Sequence, residues 1–275
     1  MQTATDRHNR HHPLPYSIIN GEPHGHPVVL VHGIASSVHS WDALQPILLE
    51  AGCRTYALDL LGHGNSPKPT RREEYDIRVV YEHTRDWIFS LDFQEPFTLI
   101  AHSLGAYVSL LFALEHPEHL ARLALVAPFY GPGQLASAVR FGMRRPALAA
   151  RMLEAAPLWA VTPVVRWNNN VTANLSEDAK FQMALDYKRA HPNILHLAPT
   201  APDLSERVRE LNVETLVVWG EDDRTLHPAS FPRLMKRLPR ATAFPIAHAG
   251  HVPQLTHAEF TKLAVLSFLG DGQPH

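Results

Sequence analysis

Short apolar runs recur along the chain, and within them apolar residues follow one another with almost no polar interruption. The runs cover residues 28–31, 56–61, 98–100, 215–219 and 244–246. Such a run is typical of a strand that is buried on both faces of a sheet. Helix-like stretches separate several of the runs, and the one after the third run, at residues 106–115, is strongly apolar. This alternation predicts an α/β fold in which helices cover both faces of a mostly parallel central sheet.

The strand pattern stops over residues 129–204 and resumes at Thr215. The interval begins with a Gly-Pro-Gly turn and continues as Ala-, Leu- and Arg-rich helical segments interrupted by prolines, with a capped helix start at Ser176. A helical cap inserted into the core explains the break better than a second domain. We therefore expect a core of residues 14–128 and 205–270, a cap of residues 129–204, and flexible tails at 1–13 and 271–275.

The third apolar run leads directly into a serine, Ser103, which the helix-like stretch follows. A strand, a sharp turn and a helix in this order hold the serine in a strained conformation, with its Oγ exposed above a helix N-terminus. Strand and helix cross closely at such a turn, so small residues are needed around it. Gly105 is one, and Ala101 stands where a second glycine is usual.

Candidate partners for this hydroxyl follow later strand ends. A serine is a poor nucleophile near neutral pH and needs a histidine as general base, which a carboxylate must in turn orient. We assign Ser103 as nucleophile, His251 as base and then acid, and Asp223 as the orienting carboxylate. The amide of Leu104 would stabilise the developing oxyanion. Two neighbours, Asp222 and His248, are alternative candidates.

Five short motifs make the chain resemble the α/β-hydrolase family over roughly residues 14–270. They are HG at 32–33, GHGxS at 62–66, HSxG at 102–105, GxxD at 220–223 and GH at 250–251. The order serine, acid, histidine is the order of that family. The resemblance implies that the amide of Ile34 is the second oxyanion donor, and its spacing favours Asp223 over Asp222. Val252 and Pro253 match the pattern after the catalytic histidine and favour His251 over His248.

Substrate choice is expected to reside in the cap, which is apolar and partly aromatic. The predicted substrate contacts are Phe129, Phe141, Trp159, Trp167 and Val252. Packing of the cap on the core is the competing explanation for such residues. A second feature of the cap is an arginine cluster at helical spacings, for which a solvated helix face is favoured over an anion site. The cluster comprises Arg140, Arg144, Arg145 and Arg151.

Composition narrows the possible partners. The 275 residues are 45% apolar, enough for one large core, and the net charge of −2 offers no general attraction to nucleic acid or anionic membranes. Cys53 is the single cysteine, which excludes an intramolecular disulfide and is interpreted as a packing residue. No group of the nineteen histidines has the spacing of a metal-binding motif, so no metal is expected. The histidines within the motifs, His32, His63 and His102, are assigned structural roles.

Neither a secretory signal nor an apolar run of membrane-spanning length is present in the sequence, and we expect a cytoplasmic protein without a membrane span. A small-molecule substrate is the expected partner, no cofactor is expected, and the oligomeric state is left open.

The sequence thus predicts a cofactor-free serine hydrolase that acts through an acyl-enzyme on a carboxylic ester or related activated carbonyl. A carbon–carbon bond hydrolase of the same fold, acting on vinylogous ketones, is the alternative. A perhydrolase and a small-molecule receptor that retains the triad are further alternatives. Haloalkane dehalogenases and epoxide hydrolases of this fold are disfavoured, because they carry aspartate where Ser103 stands.

Overall fold

The structure is a computed structural model, which describes residues 12–142, 145–168 and 175–270. The strands within these ranges are β1 (Ser17–Asn20), β2 (His26–Val31), β3 (Cys53–Leu58), β4 (Phe97–His102), β5 (Leu120–Val126), β6 (Thr215–Gly220) and β7 (Ala241–Ile246). The α-helices are α1 (Gln45–Glu50), α2 (Ile77–Ser90), α3 (Leu104–Glu115), α4 (Ser137–Gly142), α5 (Pro146–Ala155), α6 (Leu158–Asn168), α7 (Glu177–Arg189), α8 (Leu197–Thr200), α9 (Ser230–Met235), α10 (Pro253–Thr256) and α11 (Ala258–Gly270). Of these helices, none has both the length and the apolar character needed to cross a bilayer.

The seven strands form one sheet in the order β1-β3-β2-β4-β5-β6-β7. β1 pairs antiparallel with β3, and every other neighbouring pair is parallel. The carboxyl ends of the six parallel strands therefore meet at one edge, where ligands of open α/β sheets bind. The predicted fold class, a mostly parallel sheet covered by helices, is confirmed.

Apolar side chains fill both faces of this sheet, as the unbroken apolar runs require. Along β2, Val29 and Val31 pack in a cluster with α2 and α3, whereas Val28 and Leu30 pack in a second cluster with α1 and α11. Each of these four side chains is fully buried. Cys53 packs in the second cluster, where burial raises the pKa of its thiol. The strand sequences are thus explained by burial between two helical layers.

Helices α4 to α8 form a helical insertion between β5 and β6. The start of α7 agrees with the sequence, since the Ser176 hydroxyl accepts a hydrogen bond from the Ala179 amide at 3.2 Å and caps the helix. At the start of the insertion, Leu135 forms an isolated antiparallel bridge with Leu226, in the loop after β6. The insertion is therefore attached to the same edge of the sheet at which the parallel strands end.

Candidate active site

Ser103 connects β4 to α3 in a left-handed backbone conformation, with φ 51° and ψ −115°. A non-glycine residue in such a region costs of order 1–3 kcal/mol and needs support from its surroundings. The Ser103 amide donates to the Val126 carbonyl at 3.0 Å, and the Ser103 carbonyl accepts from the Phe129 amide at 3.2 Å. The end of β5 and the loop that follows it thus hold the turn through both its amide and its carbonyl.

Close packing around this turn explains its small residues. A Cβ on Gly105 would lie 2.3 Å from the His32 carbonyl oxygen, and one on Gly33 would lie 2.7 Å from Nδ1 of His102. The methyl group of Ala101, by contrast, is fully buried in the apolar cluster that contains α3. Glycine is required at position 105, whereas the core accommodates alanine at position 101.

Ser103, His251 and Asp223 form a continuous hydrogen-bonded chain. His251 Nε2 lies 2.8 Å from Ser103 Oγ, and His251 Nδ1 lies 2.7 Å from Asp223 Oδ2. The other carboxylate oxygen, Asp223 Oδ1, accepts from the amides of Thr225 at 2.7 Å and Leu226 at 2.9 Å. Because a carboxylate accepts, His251 donates from Nδ1 and presents the lone pair of Nε2 to the serine hydroxyl.

The alternative acid and base, Asp222 and His248, are not part of this chain of hydrogen bonds. Asp222 is exposed, and its Oδ2 lies 3.8 Å from Nδ1 of His248, whose side chain is 92% exposed. Ser103, Asp223 and His251 are all buried. The geometry therefore brings together the residues that the sequence assigned and leaves both neighbours at the surface.

The two predicted oxyanion donors belong to the residue that follows Ser103 in the chain and to a residue that lines the same cavity as Ser103. Leu104 is the first residue of α3, where an amide has no partner within its own helix. Ile34 follows the Gly33 turn and lines the same cavity as Ser103. The N–H groups of two amides at these positions can donate hydrogen bonds to the negatively charged oxygen that develops when a carbonyl is attacked.

Neutral histidines connect the loops around Ser103 and His251. His102 donates from Nε2 to the His251 carbonyl at 2.8 Å, while His32 donates from Nδ1 to the Gly33 carbonyl at 2.7 Å and accepts from the Leu60 amide at 2.9 Å. Burial lowers the pKa of His32 to about 4, and burial together with nearby His251 lowers that of His102 well below its ordinary value. Both rings are therefore neutral near pH 7 and act as fixed hydrogen-bonding links between loops.

Asp59 is a structural residue that the sequence reasoning missed. Its fully buried carboxylate accepts from the amides of Val38 at 2.8 Å and Asn65 at 2.7 Å, which joins the loop after β2 to the loop after β3. A Cβ on Gly64 would lie 2.0 Å from Asp59 Oδ2. The interruption of an apolar run by an aspartate just before the GHGxS motif was the available signal.

A small cavity of about 40 Å³ opens beside the serine hydroxyl. Its lining consists of Ile34, Ala35, Ser36, Ser40, His102, Ser103, Met183, Tyr187, Thr225, His251, Val252 and Leu255. Among the described residues, those that line it include no Asp, Glu, Lys or Arg. Met183 and Tyr187, one turn apart on α7, were missed by the sequence reasoning, although their spacing on one helix face could have indicated them.

Of the predicted substrate contacts whose side chains the structure describes, Val252 alone lies against this cavity. Phe129 is buried and packs on the Tyr107 ring at a centroid distance of 5.7 Å. Phe141 and Trp159 are 72% and 79% exposed, so the structure does not place them at the serine. The side chain of Trp167 lies outside the described residues. The helices of the insertion carry apolar side chains on both inward and outward faces, so apolar character alone does not indicate which side chains line the cavity.

A cluster of three or more metal-ligating side chains is not found in the part of the chain that the structure describes.

A family model for the alpha/beta hydrolase fold matches residues 26–258. The chain belongs to the α/β-hydrolase fold family. The resemblance expected from the sequence motifs is thereby confirmed, and the triad geometry described above lies within the matched range.

Relatives within the family carry different activities. A haloalkane dehalogenase from Mycobacterium marinum is 29% identical over 252 residues, which cover 86% of this chain and 82% of that protein. A 2-hydroxy-6-oxo-6-(2'-aminophenyl)hexa-2,4-dienoic acid hydrolase from Metapseudomonas resinovorans is 24% identical over 257 residues, which cover 89% of this chain and 84% of that protein. The solved structure of a thermophilic esterase from Thermogutta terrifontis superposes with a TM-score of 0.75 at 21% identity over 93% of each chain. The protein is thus an α/β-fold hydrolase whose reaction must be argued from its own site.

Proposed function

We propose that this hydrolase cleaves a carboxylic ester, or a related activated carbonyl, of an uncharged small molecule through an acyl-enzyme on Ser103. The observation that carries the proposal is the unbroken chain from Ser103 Oγ through His251 to Asp223, with both contacts of His251 below 3 Å. Such a chain raises the nucleophilicity of a hydroxyl without a metal or cofactor.

Acylation uses each group of the site once. Ser103 Oγ attacks the carbonyl carbon while its proton passes to Nε2 of His251, and Asp223 stabilises the imidazolium through Nδ1. The amides of Ile34 and Leu104 stabilise the oxyanion of the tetrahedral intermediate. When this intermediate collapses, the alkoxide leaves with the proton from His251 and the acyl group remains on the serine.

Deacylation repeats these steps with water as the nucleophile. His251 Nε2 removes a proton from water as the water attacks the acyl carbon, and the same two amides stabilise the second oxyanion. Collapse breaks the bond to Ser103 Oγ, which recovers its proton from His251. The carboxylic acid product is released and the triad returns to its starting protonation.

The cavity supports a small, uncharged acyl group. At about 40 Å³ it has space for about three water-sized groups, and its lining contains no formally charged Lys, Arg, Asp or Glu among the described residues. A carboxylate on the substrate would have no cationic partner there, which is unfavourable in a water-poor site. This argues for a neutral ester with a short acyl chain.

The helical insertion is proposed to act as the cap over this site. α7 provides Met183 and Tyr187 to the cavity. Its buried Asp186 accepts a hydrogen bond from the Ser37 hydroxyl at 2.8 Å, in the loop that also carries Ile34. The cap helix that borders the substrate is thus attached directly to the loop that supplies an oxyanion donor.

Carbon–carbon bond hydrolysis is the second candidate, because the relative from Metapseudomonas resinovorans acts on a dienoic acid. The same triad would serve it, but the uncharged cavity offers no partner for the acid group of such a substrate. Dehalogenation, the activity named for the relative from Mycobacterium marinum, fits less well. Attack by Ser103 on a haloalkane would leave an ether, which lacks the carbonyl that water must attack to regenerate the enzyme.

The test combines a mechanism-based probe with substrates. The wild-type protein and Ser103→Ala are treated with a fluorophosphonate, the adduct is located by mass spectrometry, and rates are measured on p-nitrophenyl esters from acetate to decanoate. We expect an adduct on Ser103 and fastest turnover of short esters, with both lost in Ser103→Ala. Full turnover by Ser103→Ala would overturn the acyl-enzyme, and labelling without ester turnover would favour carbon–carbon hydrolysis of a dienoic acid.

A further inference from the structure

The insertion has an outer surface that the proposed reaction does not use. Large apolar side chains protrude from three consecutive helices, α4, α5 and α6. They are Phe141 at 72% exposure, Leu148 at 51%, Met152 at 66% and Trp159 at 79%. Single exposed apolar residues are ordinary, but a concentration of them on one part of a monomer marks an interaction surface.

Exposed arginines accompany these side chains. Arg151 is next to Met152 and one turn after Leu148 on α5, so that apolar and cationic groups share one helix surface. Arg140 precedes Phe141, and Arg145 immediately precedes α5. We call the apolar group above, together with Arg140, Arg145 and Arg151, the outer cap face.

The charge of this region is opposite to that of the whole protein. Residues 136–168 contain five arginines and one glutamate, a net charge of +4, whereas the complete chain carries −2. Among the described residues, Arg140, Arg145 and Arg151 make no ion pair with a carboxylate, although Arg78 on the core pairs with Glu115 at 2.7 Å. The cationic charge of the outer cap face is therefore not neutralised by neighbouring carboxylates within the described chain.

We infer that the outer cap face docks on the surface of an anionic lipid bilayer. Trp, Phe, Met and Leu side chains favour the boundary between headgroups and acyl chains, and arginines beside them attract anionic headgroups. A second copy of the chain is a poorer occupant, because a symmetric contact would bring the unneutralised arginines of two copies together. The sequence alone favoured a solvated face for the arginine cluster; the exposed aromatic and apolar neighbours change that interpretation.

The docking surface is linked to the cavity through α7. Lys188 donates from Nζ to the carbonyls of Glu154 at 2.8 Å and Ala156 at 2.9 Å, which joins the end of α5 to α7. Tyr187, the preceding residue, lines the cavity beside Ser103. Docking would thus hold the cap helix that borders the active site close to a lipid surface.

Vesicle flotation tests the inference without using hydrolysis, so that its failure and failure of the proposed reaction are distinguishable. The full chain is mixed with vesicles of phosphatidylcholine alone or with about one third phosphatidylglycerol, at low and high salt. Two variants alter the face: Met152→Ser with Trp159→Ser, and Arg140→Gln with Arg151→Gln. The matched control is Phe260→Ser with Leu263→Ser, two residues of α11 that are 55% and 57% exposed.

We expect the wild-type protein and the α11 variant to float with anionic vesicles at low salt, and both face variants to bind about tenfold more weakly or worse. Circular dichroism and thermal unfolding establish that each variant is folded. In a second readout, brominated lipids should quench tryptophan fluorescence in the wild-type protein and quench it less in Trp159→Phe. Absence of binding, equal loss in the α11 variant, or a dimer that depends on the outer cap face in place of vesicle binding would each overturn the inference.

Discussion

Replacing Asp223 by asparagine should reverse the direction of the hydrogen bond between His251 and Ser103. In the wild-type site, Asp223 Oδ1 accepts from the amides of Thr225 and Leu226, and Oδ2 accepts from Nδ1 of His251. Asparagine has one oxygen and one NH₂ group, so it can accept hydrogen bonds on only one side of this arrangement and must donate on the other. Turning the NH₂ toward the two amides would leave buried donors unpaired, at a cost of about 1–3 kcal/mol each. The oxygen therefore stays on the amides, and the NH₂ faces His251.

An NH₂ donor at this position forces Nδ1 of His251 to accept and moves the ring proton to Nε2. Nε2 then donates to Ser103 Oγ and cannot remove its proton. Loss of the correct tautomer in a catalytic triad lowers kcat by about 10⁴-fold, equivalent to about 5 kcal/mol of activation free energy. Because the Asp223→Asn variant keeps the same number of hydrogen bonds, its stability should change by less than about 1 kcal/mol.

The assay compares kcat and KM for p-nitrophenyl acetate with the unfolding midpoint of each variant. Asp222→Asn is the matched control, because Asp222 is the exposed neighbour of Asp223 and should leave kcat unchanged. A kcat close to wild type in Asp223→Asn, or a loss of kcat in Asp222→Asn with the fold intact, would refute the reasoning.

Three further predictions concern the turn, the cavity and the cap. Gly105→Ala should destabilise the protein by about 1–3 kcal/mol in chemical unfolding, because its Cβ would lie 2.3 Å from a backbone oxygen. Ala101→Gly should be folded and active. Equal stability of the two variants would contradict the packing argument. Met183→Ala should enlarge the cavity and move the best p-nitrophenyl ester to a longer acyl chain, and an unchanged chain-length optimum would remove Met183 from the acyl site. Burial raises the pKa of Asp186 to about 6 from its ordinary 3.8, so the folded protein binds this proton more tightly than the unfolded chain. Stability should therefore fall by up to about 3 kcal/mol as pH rises from about 4 through 6, and Asp186→Asn should remove that part of the slope in chemical unfolding measured at each pH.

Local sequence was sufficient where one segment carries the whole signal. The run at 28–31 predicts β2 because a strand buried between two helical layers must be apolar on both faces, and both layers are present. The turn at Ser103 was also readable, since strand, serine, glycine and helix follow one another directly in the chain.

The choice between two adjacent aspartates was settled by the conformation of the loop after β6. The sequence places two aspartates after β6 and offers both as partners of a histidine. In the folded chain, Asp223 turns inward to accept the amides of Thr225 and Leu226, while Asp222 remains at the surface. A one-residue difference depends on which side chain the turn can bury, and that is decided by the fold of the loop.

The sequence by itself determined the parallel sheet, the order of the triad residues and the position of the helical insertion, because each depends on short-range pattern and on the meeting of parallel strand ends at one edge. Only the tertiary structure decided which apolar residues of the helical insertion line the cavity beside Ser103. Met183 and Tyr187 line the cavity, whereas Phe141 and Trp159 face outward. Both pairs consist of large, mostly apolar side chains, and helix packing against the core determines which surface of each helix is covered.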